Sequence, residues 1–369
     1  MLFIDNDTVQ SVLTIADAID SQDVAFRGLA DGGSIHRPRI DMYVPTGREH
    51  DYYRWGTMEG ASRDLGVFAI RMKSDVIEWP EDENGNWTEE KYCVEPGTYC
   101  GLVMLFSTRN GEPLAMINDG YLQHMRVGAG AGLGVRYLAR EDSHVVGILG
   151  SGGMARTYLQ AFCNERRIET VHVYSPNKQH RESYAAEMSD LLDIDVTPVD
   201  DPESAVRGAD IVATCTDSMR PVLKGAWLEP GMHVTNLGGY EFDADVAKRA
   251  DVTVRQGVSG LSIAPGTERV EYGRGHSPVA YVAGTEEEMK RIPPAAERFG
   301  MNQNHPTFTD LVSGASPGRN TPDDITVYIN SGNQGLQFAA VGSVVYNKAK
   351  AAGMGRELPT EWFLQDIRD

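Results

Sequence analysis

The residues with the clearest chemistry are the small residues of the segment GSGGMA, which directly follows an apolar strand. Gly150 permits a tight turn, Gly152 lets a pyrophosphate approach the N-terminus of the next helix, and Ala155 lets that helix pack closely on the strand. Gly153 and Met154 lie between them. A glycine-rich turn without a ligand is the alternative, but a helix and a second strand follow where the motif requires them. We therefore predict a dinucleotide site formed by these five residues.

The end of the second strand indicates which dinucleotide binds. Enzymes that prefer NAD(H) usually place an aspartate or glutamate there to bind the ribose, whereas this chain has Ser175. Asn177, Lys178 and Arg181 follow, and a hydroxyl, an amide and two cations suit the 2′-phosphate of NADP(H). NADP(H) is therefore the preferred cofactor, with NAD(H) possible. The alternative is that Lys178 and Arg181 are exposed residues at the start of a helix.

Strands and helices alternate from residue 144 to residue 254, which is typical of a doubly wound parallel sheet of the Rossmann type. In such a sheet the loops after the later strands face the cofactor. Thr214, Thr216 and Gly238 stand at two of these strand ends, and we expect them to contact the dinucleotide.

The segments outside this alternation predict a second domain of the α+β class. Residues 8–31 have helical spacing with Thr14 as a cap, and strands at 100–108 and 114–119 flank a turn, which predicts a hairpin. The polar segment 79–97 has proline and glycine at both ends and is predicted to be an exposed loop.

The order of these segments predicts an inserted domain. A long alanine-rich helix at 335–352 is expected to return to the first part of the chain. We therefore assign residues 1–128 plus 318–369 to a substrate-binding and dimerisation domain, and residues 129–317 to the Rossmann dinucleotide-binding domain.

Composition narrows the class of protein. The 369 residues have a net charge of −19, which disfavours nucleic acid and anionic membranes as partners. No apolar run is long enough to span a membrane, and the N-terminus lacks the basic residues of a signal peptide. Four cysteines without metal-like spacing indicate reduced thiols, no metal site and a cytoplasmic protein.

Further segments along the chain form a set of motifs: RPRI (37–40), the Met-Lys pair of the strand at 66–76, the glycine-rich segment 110–140, GILGSGGMA, and the segments 209–223, 228–239 and 325–332. Together these segments resemble the ornithine cyclodeaminase and mu-crystallin family. The resemblance extends over most of the chain, and the motifs occur in the order found in that family.

This resemblance implies a substrate site for a small amino or imino acid. Arg39 and Arg126 match two family arginines that hold the substrate carboxylate, and a guanidinium can do so by paired hydrogen bonds. Lys73 matches a family lysine, and an apolar strand favours a lower pKa suited to proton transfer. Ser331 matches a family position near the nicotinamide. Without the resemblance, surface ion pairs for the arginines and a solvated lysine would be the simpler interpretations.

One departure from the family bears on the reaction. The cyclodeaminases have an aspartate, proposed as a base, where this chain has Tyr240. Cyclodeamination needs such a group, whereas hydride transfer to or from an imine needs a carboxylate anchor, a proton donor and the cofactor. The hypothesis is therefore an NAD(P)-dependent oxidoreductase acting at a C–N bond. A cyclodeaminase with another base and a non-catalytic NADP(H)-binding protein are the alternatives.

We also expect a homodimer. The apolar strands at 100–119 need cover, and a second subunit can supply it through the domain that lacks the dinucleotide.

Overall fold

A computed structural model describes residues 1–81, 83, 88–258, 270–274, 277–282, 284–293 and 304–367. The chain forms two compact units. The first comprises Met1–Gln123, Ser259–Ala295 and Asn333–Asp369, and the second comprises His124–Val258 and Ala296–Gly332.

The strands are, in chain order, β1 Leu2–Ile4, β2 Ser34–Pro45, β3 Asp51–Ser62, β4 Val67–Glu78, β5 Glu90–Cys93, β6 Glu95–Pro96, β7 Cys100–Ser107, β8 Pro113–Asn118, β9 Val145–Leu149, β10 Thr170–Tyr174, β11 Asp195–Pro198, β12 Ile211–Thr214, β13 His233–Asn236, β14 Val252–Arg255, β15 Val270–Arg274, β16 Ser277–Val282, β17 Thr326–Ile329 and β18 Arg356–Glu357. The helices are α1 Asn6–Val12, α2 Ile15–Arg27, α3 Gly120–Leu138, α4 Gly153–Glu165, α5 Lys178–Leu192, α6 Pro202–Val206, α7 Ala244–Arg249, α8 Glu286–Met289, α9 Phe308–Val312 and α10 Gln334–Ala351.

The first unit is built on a mixed sheet in the order β15-β16-β2-β3-β4-β7-β8-β1-β18, with β5 also paired to β4. Strands β2, β3 and β4 are long and antiparallel, and they place a row of buried polar side chains on one face. Helix α10 packs against this sheet together with α2. The sheet is therefore the scaffold that positions Arg39 and Lys73.

The N-terminal helical segment differs in detail from its prediction. It forms two helices, α1 and α2, because Thr14 caps the second one. The Asp17 N–H donates to Thr14 Oγ1 at 3.2 Å, and the Thr14 N–H donates to Asp17 Oδ2 at 3.1 Å. This reciprocal capping box requires extended backbone at Thr14, which interrupts the helix there.

The predicted hairpin is present, since β7 and β8 pair antiparallel. It does not lie at the edge of the sheet, because β4 covers one side of it and β1 pairs with β8 on the other. The edges of these strands are therefore paired, and the apolar side chains still without full cover lie on one half-buried face of the hairpin.

The described part of segment 79–97 is less exposed than predicted. Strand β5 pairs with β4, and the side chain of Glu89 is only 4% exposed. Trp79 contacts Tyr43 at a ring-centroid distance of 6.0 Å. The polar composition of this segment conceals one buried carboxylate and one packed aromatic ring.

The second unit contains the predicted doubly wound parallel sheet, in the order β11-β10-β9-β12-β13-β17-β14. All of its strand pairs are parallel. Separate apolar cores cover its two faces: Val146 and Ile148 face one, and Leu149 faces the other. The sequence-derived range 129–317 includes β15 and β16, but β16 pairs with β2, so these two strands belong to the sheet of the first unit.

The glycines of α3 allow close packing inside the second unit. A Cβ on Gly134 would lie 2.6 Å from the ring of Tyr328, and one on Gly128 would lie 2.5 Å from the carbonyl oxygen of Thr157. Neither space can accept a side chain without displacing backbone or a buried ring. Among the described residues, no helix has the length and apolar character needed to cross a bilayer.

Candidate functional site

Lys73 lies on the buried face of β4, and its ammonium is 2.9 Å from Oδ2 of Asp75. The ring of Tyr99 lies over it, 5.1 Å from Nζ to the ring centroid. Burial lowers the pKa of Lys73 well below its usual range, and the charge of Arg54 lowers it further, against the opposing effect of Asp75. A buried lysine that gives up its proton readily is suited to proton transfer.

Arg39 lies on β2, two strands away from Lys73 in the same sheet. Its Nε and Nη2 donate to the two carboxylate oxygens of Asp41 at 2.8 and 2.6 Å. Burial lowers the pKa of Arg39, but the charge and the hydrogen bonds of Asp41, together with Tyr43, raise it by more, so this guanidinium stays charged. Gly56 stands between Asp41 and Lys73 in the strand register. A Cβ at Gly56 would overlap the Asp41 carboxylate, so glycine keeps this part of the site open.

Arg54 is a buried cation of this site that sequence reasoning did not identify. It is 1% exposed, and its Nε and Nη2 donate to both oxygens of Asp75 at 2.9 and 2.7 Å. Its Nη1 lies 3.5 Å from Oε1 of Glu89. Alternation along β3 places Arg54 on the face of Gly56, but only the pairing of β3 with β4 brings it to Asp75.

Arg126 lies on α3, in the second unit, and is 9% exposed. Its charge acts on the hydroxyl of Tyr158, whose pKa is raised well above its usual range by burial, with Arg126 opposing that rise. This hydroxyl donates to the carbonyl oxygen of Asn236 at 2.9 Å and accepts from Nδ2 of Asn330 at 2.7 Å. Arg126 is thus near the carboxyl ends of β13 and β17.

A cleft of about 750 Å³ opens at the carboxyl edge of the parallel sheet in the second unit. Predicted cofactor residues that line it include the following: Gly150, Gly152, Gly153, Met154, Ser175 and Thr216. Ala155 is fully buried behind them, as its packing role requires.

The two glycines of the turn have different structural demands. Gly150 has φ +114°, and a Cβ there would overlap the carbonyl oxygen of Cys215. Gly152 caps α4 with an extended backbone, and a Cβ there would meet no protein atom within 4 Å. Gly152, Gly153 and Met154 line the cleft, so the start of α4 borders open space, which fits the pyrophosphate of a dinucleotide.

The residues predicted to bind a 2′-phosphate are arranged unequally. Arg181 is buried, and it donates to the carbonyl oxygen of Ser175 at 3.0 Å and to Asp200 Oδ1 at 2.5 Å. Asn177 caps α5 by accepting from the His180 N–H at 3.0 Å. The side chain of Lys178 is exposed, 3.7 Å from Glu182. Neither Asn177, Lys178 nor Arg181 is among the residues that line the cleft.

His180 does line the cleft, next to Ser175, and sequence reasoning did not single it out. It occupies the first turn of α5, where the helix dipole favours an anion. The sequence could have indicated His180, because it follows the end of β10 closely enough to lie in the first turn of the next helix.

Thr214, Thr216 and Gly238 share one partner, the carboxylate of Glu241, which sequence reasoning missed. It accepts from Thr214 Oγ1 at 2.9 Å, from the N–H and Oγ1 of Thr216 at 2.6 and 2.7 Å, and from the N–H groups of Leu237 and Gly238 at 2.9 and 2.5 Å. Burial raises the pKa of Glu241, while these hydrogen bonds oppose the rise. This buried carboxylate joins the loops after β12 and β13.

Ser331 follows β17, where its N–H donates to the carbonyl oxygen of Ile329 at 2.8 Å and its carbonyl oxygen accepts from the Gly257 N–H at 3.1 Å. It therefore lies at the same carboxyl edge of the sheet as the cleft of the second unit.

The chain is similar to several known proteins along most of its length. It is 30% identical to a putative dehydrogenase of Rhizobium meliloti over 345 residues, 92% of each chain. It is 25% identical to the alanine dehydrogenase of Archaeoglobus fulgidus over 97% of this chain and 98% of that one. A solved structure of Thermococcus litoralis Δ1-pyrroline-2-carboxylate reductase with NADH and L-proline matches with a TM-score of 0.74 at 24% identity, covering 97% and 100% of the two chains.

The model of the ornithine cyclodeaminase/mu-crystallin family matches residues 86–353. This range contains the glycine turn, the helix with Arg126 and the strand ends that surround the cleft. The chain belongs to the ornithine cyclodeaminase/mu-crystallin family.

Proposed function

We propose that this protein is an NAD(P)-dependent oxidoreductase that acts on the C–N bond of a small amino or imino acid. The observation that best supports it is the buried Lys73, whose pKa is lowered beside the guanidinium groups of Arg39 and Arg54. Alanine dehydrogenase and Δ1-pyrroline-2-carboxylate reductase, two similar proteins, have names that describe such a reaction.

Each residue has a chemical role in this proposal. Arg39 and Arg126 hold the substrate carboxylate by charge-assisted hydrogen bonds. Lys73 donates a proton to the substrate nitrogen in the reductive direction and accepts one in the oxidative direction. The nicotinamide, when bound, supplies or accepts the hydride at the α-carbon. The start of α4 at Gly152 holds the pyrophosphate, and Ser331 lies on the nicotinamide side.

NADP(H) is the cofactor that we propose as preferred, with NAD(H) also accepted. Ser175 offers the ribose a hydroxyl and no negative charge, and His180 and the N-terminus of α5 favour an anion near it. Arg181 donates hydrogen bonds to Asp200 and to the carbonyl oxygen of Ser175, so its role here is to hold the backbone at Ser175 in place. Titration with NADPH and with NADH tests this preference. Ser175→Asp should weaken the binding of NADPH and leave the binding of NADH nearly unchanged. Equal effects on the binding of both cofactors would contradict the proposal.

The position of Tyr240 disfavours the cyclodeaminase alternative. Tyr240 is buried, and the neighbouring carboxylate of Glu241 is enclosed by hydrogen bonds from Thr214, Thr216 and the strand-end backbone. Five donors already occupy both oxygens of this carboxylate, so it is not placed to accept a proton from a substrate.

The deciding experiment measures NADPH and NADH consumption by the purified protein with a panel of cyclic imino acids and with 2-oxo acids plus amines. Ornithine with oxidised cofactor runs in parallel, with ammonia as the readout. Consumption with an imine supports the proposal, whereas ammonia without net redox change supports the cyclodeaminase. Cofactor binding without either reaction supports a binding protein.

Lys73→Ala should abolish turnover and leave the dissociation constant of the cofactor nearly unchanged, because Lys73 lies in the unit without the cleft. Lys248→Ala is the matched control, since this lysine is exposed on α7. Loss of cofactor binding in Lys73→Ala, or retention of turnover, would contradict the assigned role.

The homodimer is also part of this proposal. One face of β4, β7 and β8 has apolar side chains that are only half-buried. They are adjacent in the strand register: Phe68, Ile70, Met72, Leu102, Met104, Phe106 and Met116. A contiguous apolar face of this kind is typical of a subunit interface.

A further inference from the structure

Four charged side chains form a continuous buried row beside the substrate site. Glu89 faces Arg54, both donor groups of the Arg54 fork bind the two oxygens of Asp75, and Oδ2 of Asp75 also contacts the ammonium of Lys73. The side chains of Arg54 and Asp75 are 1% and 0% exposed. Water cannot orient or screen these groups, so their mutual geometry fixes them.

The distances show which partner holds which. Arg54 binds Asp75 through Nε at 2.9 Å and Nη2 at 2.7 Å, and this two-pronged bond fixes the plane of the carboxylate. Lys73 has a single contact with that carboxylate, at 2.9 Å. The direction in which Asp75 presents Oδ2 is therefore set by Arg54, and the position of the ammonium follows from it.

We propose that Arg54 is a positioning residue of the substrate site, which acts through Asp75 to place the Lys73 ammonium. Alongside burial, the charge of Arg54 also lowers the pKa of Lys73. This inference rests on the role of Lys73 in the proposed function. It assigns to Arg54 no contact with the substrate, because its Nε and Nη2 already bind Asp75 and its Nη1 faces Glu89.

The charges around Lys73 come from every neighbouring element. Asp75 lies on its own strand, Arg54 on β3, and Arg39 with its partner Asp41 on β2. The β5 segment contributes Lys91, paired with Glu89, and Tyr99 covers the ammonium. Arg54, Arg39 and Lys91 disfavour the charged form of Lys73, and Asp75 favours it.

These opposite effects give a test with opposite signs. Arg54→Gln removes a cation and leaves Asp75 free to act on Lys73 alone, so the lysine should bind its proton more tightly. Asp75→Asn removes the anion, so the lysine should bind its proton less tightly. If Arg54 and Asp75 served only to stabilise the fold, both variants would change the proton affinity of Lys73 in the same direction or leave it unchanged.

The measurement is the pH dependence of Lys73 acylation by an amine-reactive reagent, read by peptide mass spectrometry, since only the neutral amine reacts. Compared with wild type, the half-labelling pH should rise by about one unit or more in Arg54→Gln and fall in Asp75→Asn. Arg63→Gln is the control, because Arg63 is exposed in an ion pair with Asp64. An unchanged midpoint in folded Arg54→Gln, or shifts of the same sign in both variants, would overturn the proposal.

A conservative variant covers the case in which Arg54→Gln does not fold. Arg54→Lys keeps the charge and loses the two-pronged bond, so the labelling midpoint should stay near wild type while kcat with the imine falls on the order of tenfold and KM changes little. Wild-type kcat in Arg54→Lys would overturn the positioning role. Labelling needs no turnover, so a failure of the proposed reaction and a failure of this inference are distinguishable.

Discussion

At the scale of single residues, substitutions at Gly152 and Gly150 should have different effects, since the first should weaken cofactor binding and the second should destabilise the fold. Gly152→Ala meets no protein atom and has an ordinary φ of −82°, so the protein should fold as the wild type does. The added methyl group instead occupies the space proposed for the pyrophosphate. We expect cofactor binding to weaken about tenfold or more, equivalent to about 1.4 kcal/mol. Calorimetric titration with NADPH measures this change.

The comparison variant is Gly150→Ala, which should destabilise the fold itself because of its φ of +114° and the overlap with Cys215. If Gly152→Ala bound NADPH as tightly as the wild type, the cleft would not be the pyrophosphate site.

Glu241→Gln should loosen the carboxyl edge of the sheet. Glutamine has one acceptor oxygen, and its amide nitrogen replaces either Oε1, which accepts from the N–H and Oγ1 of Thr216, or Oε2, which accepts from Thr214 Oγ1 and the N–H groups of Leu237 and Gly238. Several buried donors then lose their partner, at a cost of about 1–3 kcal/mol each. Urea denaturation should show a lower free energy of unfolding, and NADPH should bind more weakly.

Glu187→Gln provides the reference for Glu241, since it breaks a partly exposed ion pair with Arg156. Such a pair contributes about 0–1 kcal/mol. Equal stability losses in the two variants would contradict the special place given to Glu241.

Sequence reasoning predicts a conformation well where local geometry determines it. The turn at Gly150 and Gly152 and the close packing of Ala155 are determined within one strand-turn-helix segment, so their pattern is visible in the chain. Arg54 and Glu241 acquire their roles from strand register and from loops distant in sequence, which no local pattern contains. Arg181 was expected to bind the cofactor phosphate, but the structure pairs it with Asp200. The sequence near Arg181 could not show this, because Asp200 lies in the loop after another strand.

At the scale of elements, the pairing of β13 with β17 makes stability depend on pH. His233 is fully buried, and its Nδ1 lies 2.9 Å from Oγ1 of Thr326. Burial lowers the pKa of His233 to about 3, with the charges of Arg319 and Arg166 adding to the effect. In the unfolded chain histidine titrates near pH 6.5. Between these values only the unfolded state holds the proton.

The free energy of unfolding should therefore fall as the pH falls from 6.5 towards 3, by about 1.4 kcal/mol per pH unit from this one group. Urea denaturation at a series of pH values measures the slope. His233→Gln should lower this slope by the equivalent of about one proton taken up on unfolding. His50→Gln, at an exposed position, should leave the slope unchanged. The same slope in wild type and His233→Gln would refute the assignment.

Element prediction was accurate where periodicity was simple and failed where buried charges masked it. The alternation of the parallel sheet was visible because its strands are apolar on both faces. Strands β2 and β3 went unnoticed because their buried face contains charged residues such as Asp41 and Arg54. Such residues resemble a solvated segment until their ion pairs are known.

At the scale of the whole molecule, the apolar face of β4, β7 and β8 predicts association in solution. Met104 lies between Ile70 and Met116 in the register, at the centre of this face. Met104→Arg should shift the protein from dimer to monomer, because burying an unpaired charge in an interface costs several kcal/mol. Light scattering coupled to size exclusion measures the mass.

Leu191→Arg is the control for Met104, since Leu191 is 59% exposed on α5, far along the chain from this face. A monomeric wild type, or a Met104→Arg variant with the mass of an intact dimer, would show that another surface or none is used.

The contact between β3 and the start of α10 has a consequence for recombination. A Cβ on Gly60 would overlap the backbone of Gly335 and Leu336, and one on Gly335 would overlap the backbone of Glu59. Two segments that are distant along the chain therefore meet backbone to backbone. A chimera that joins the front of this chain to the back of a relative should fold only when both parents contribute glycine at their side of this contact. In a library made by gene shuffling, the folded variants should therefore have glycine at both of these positions.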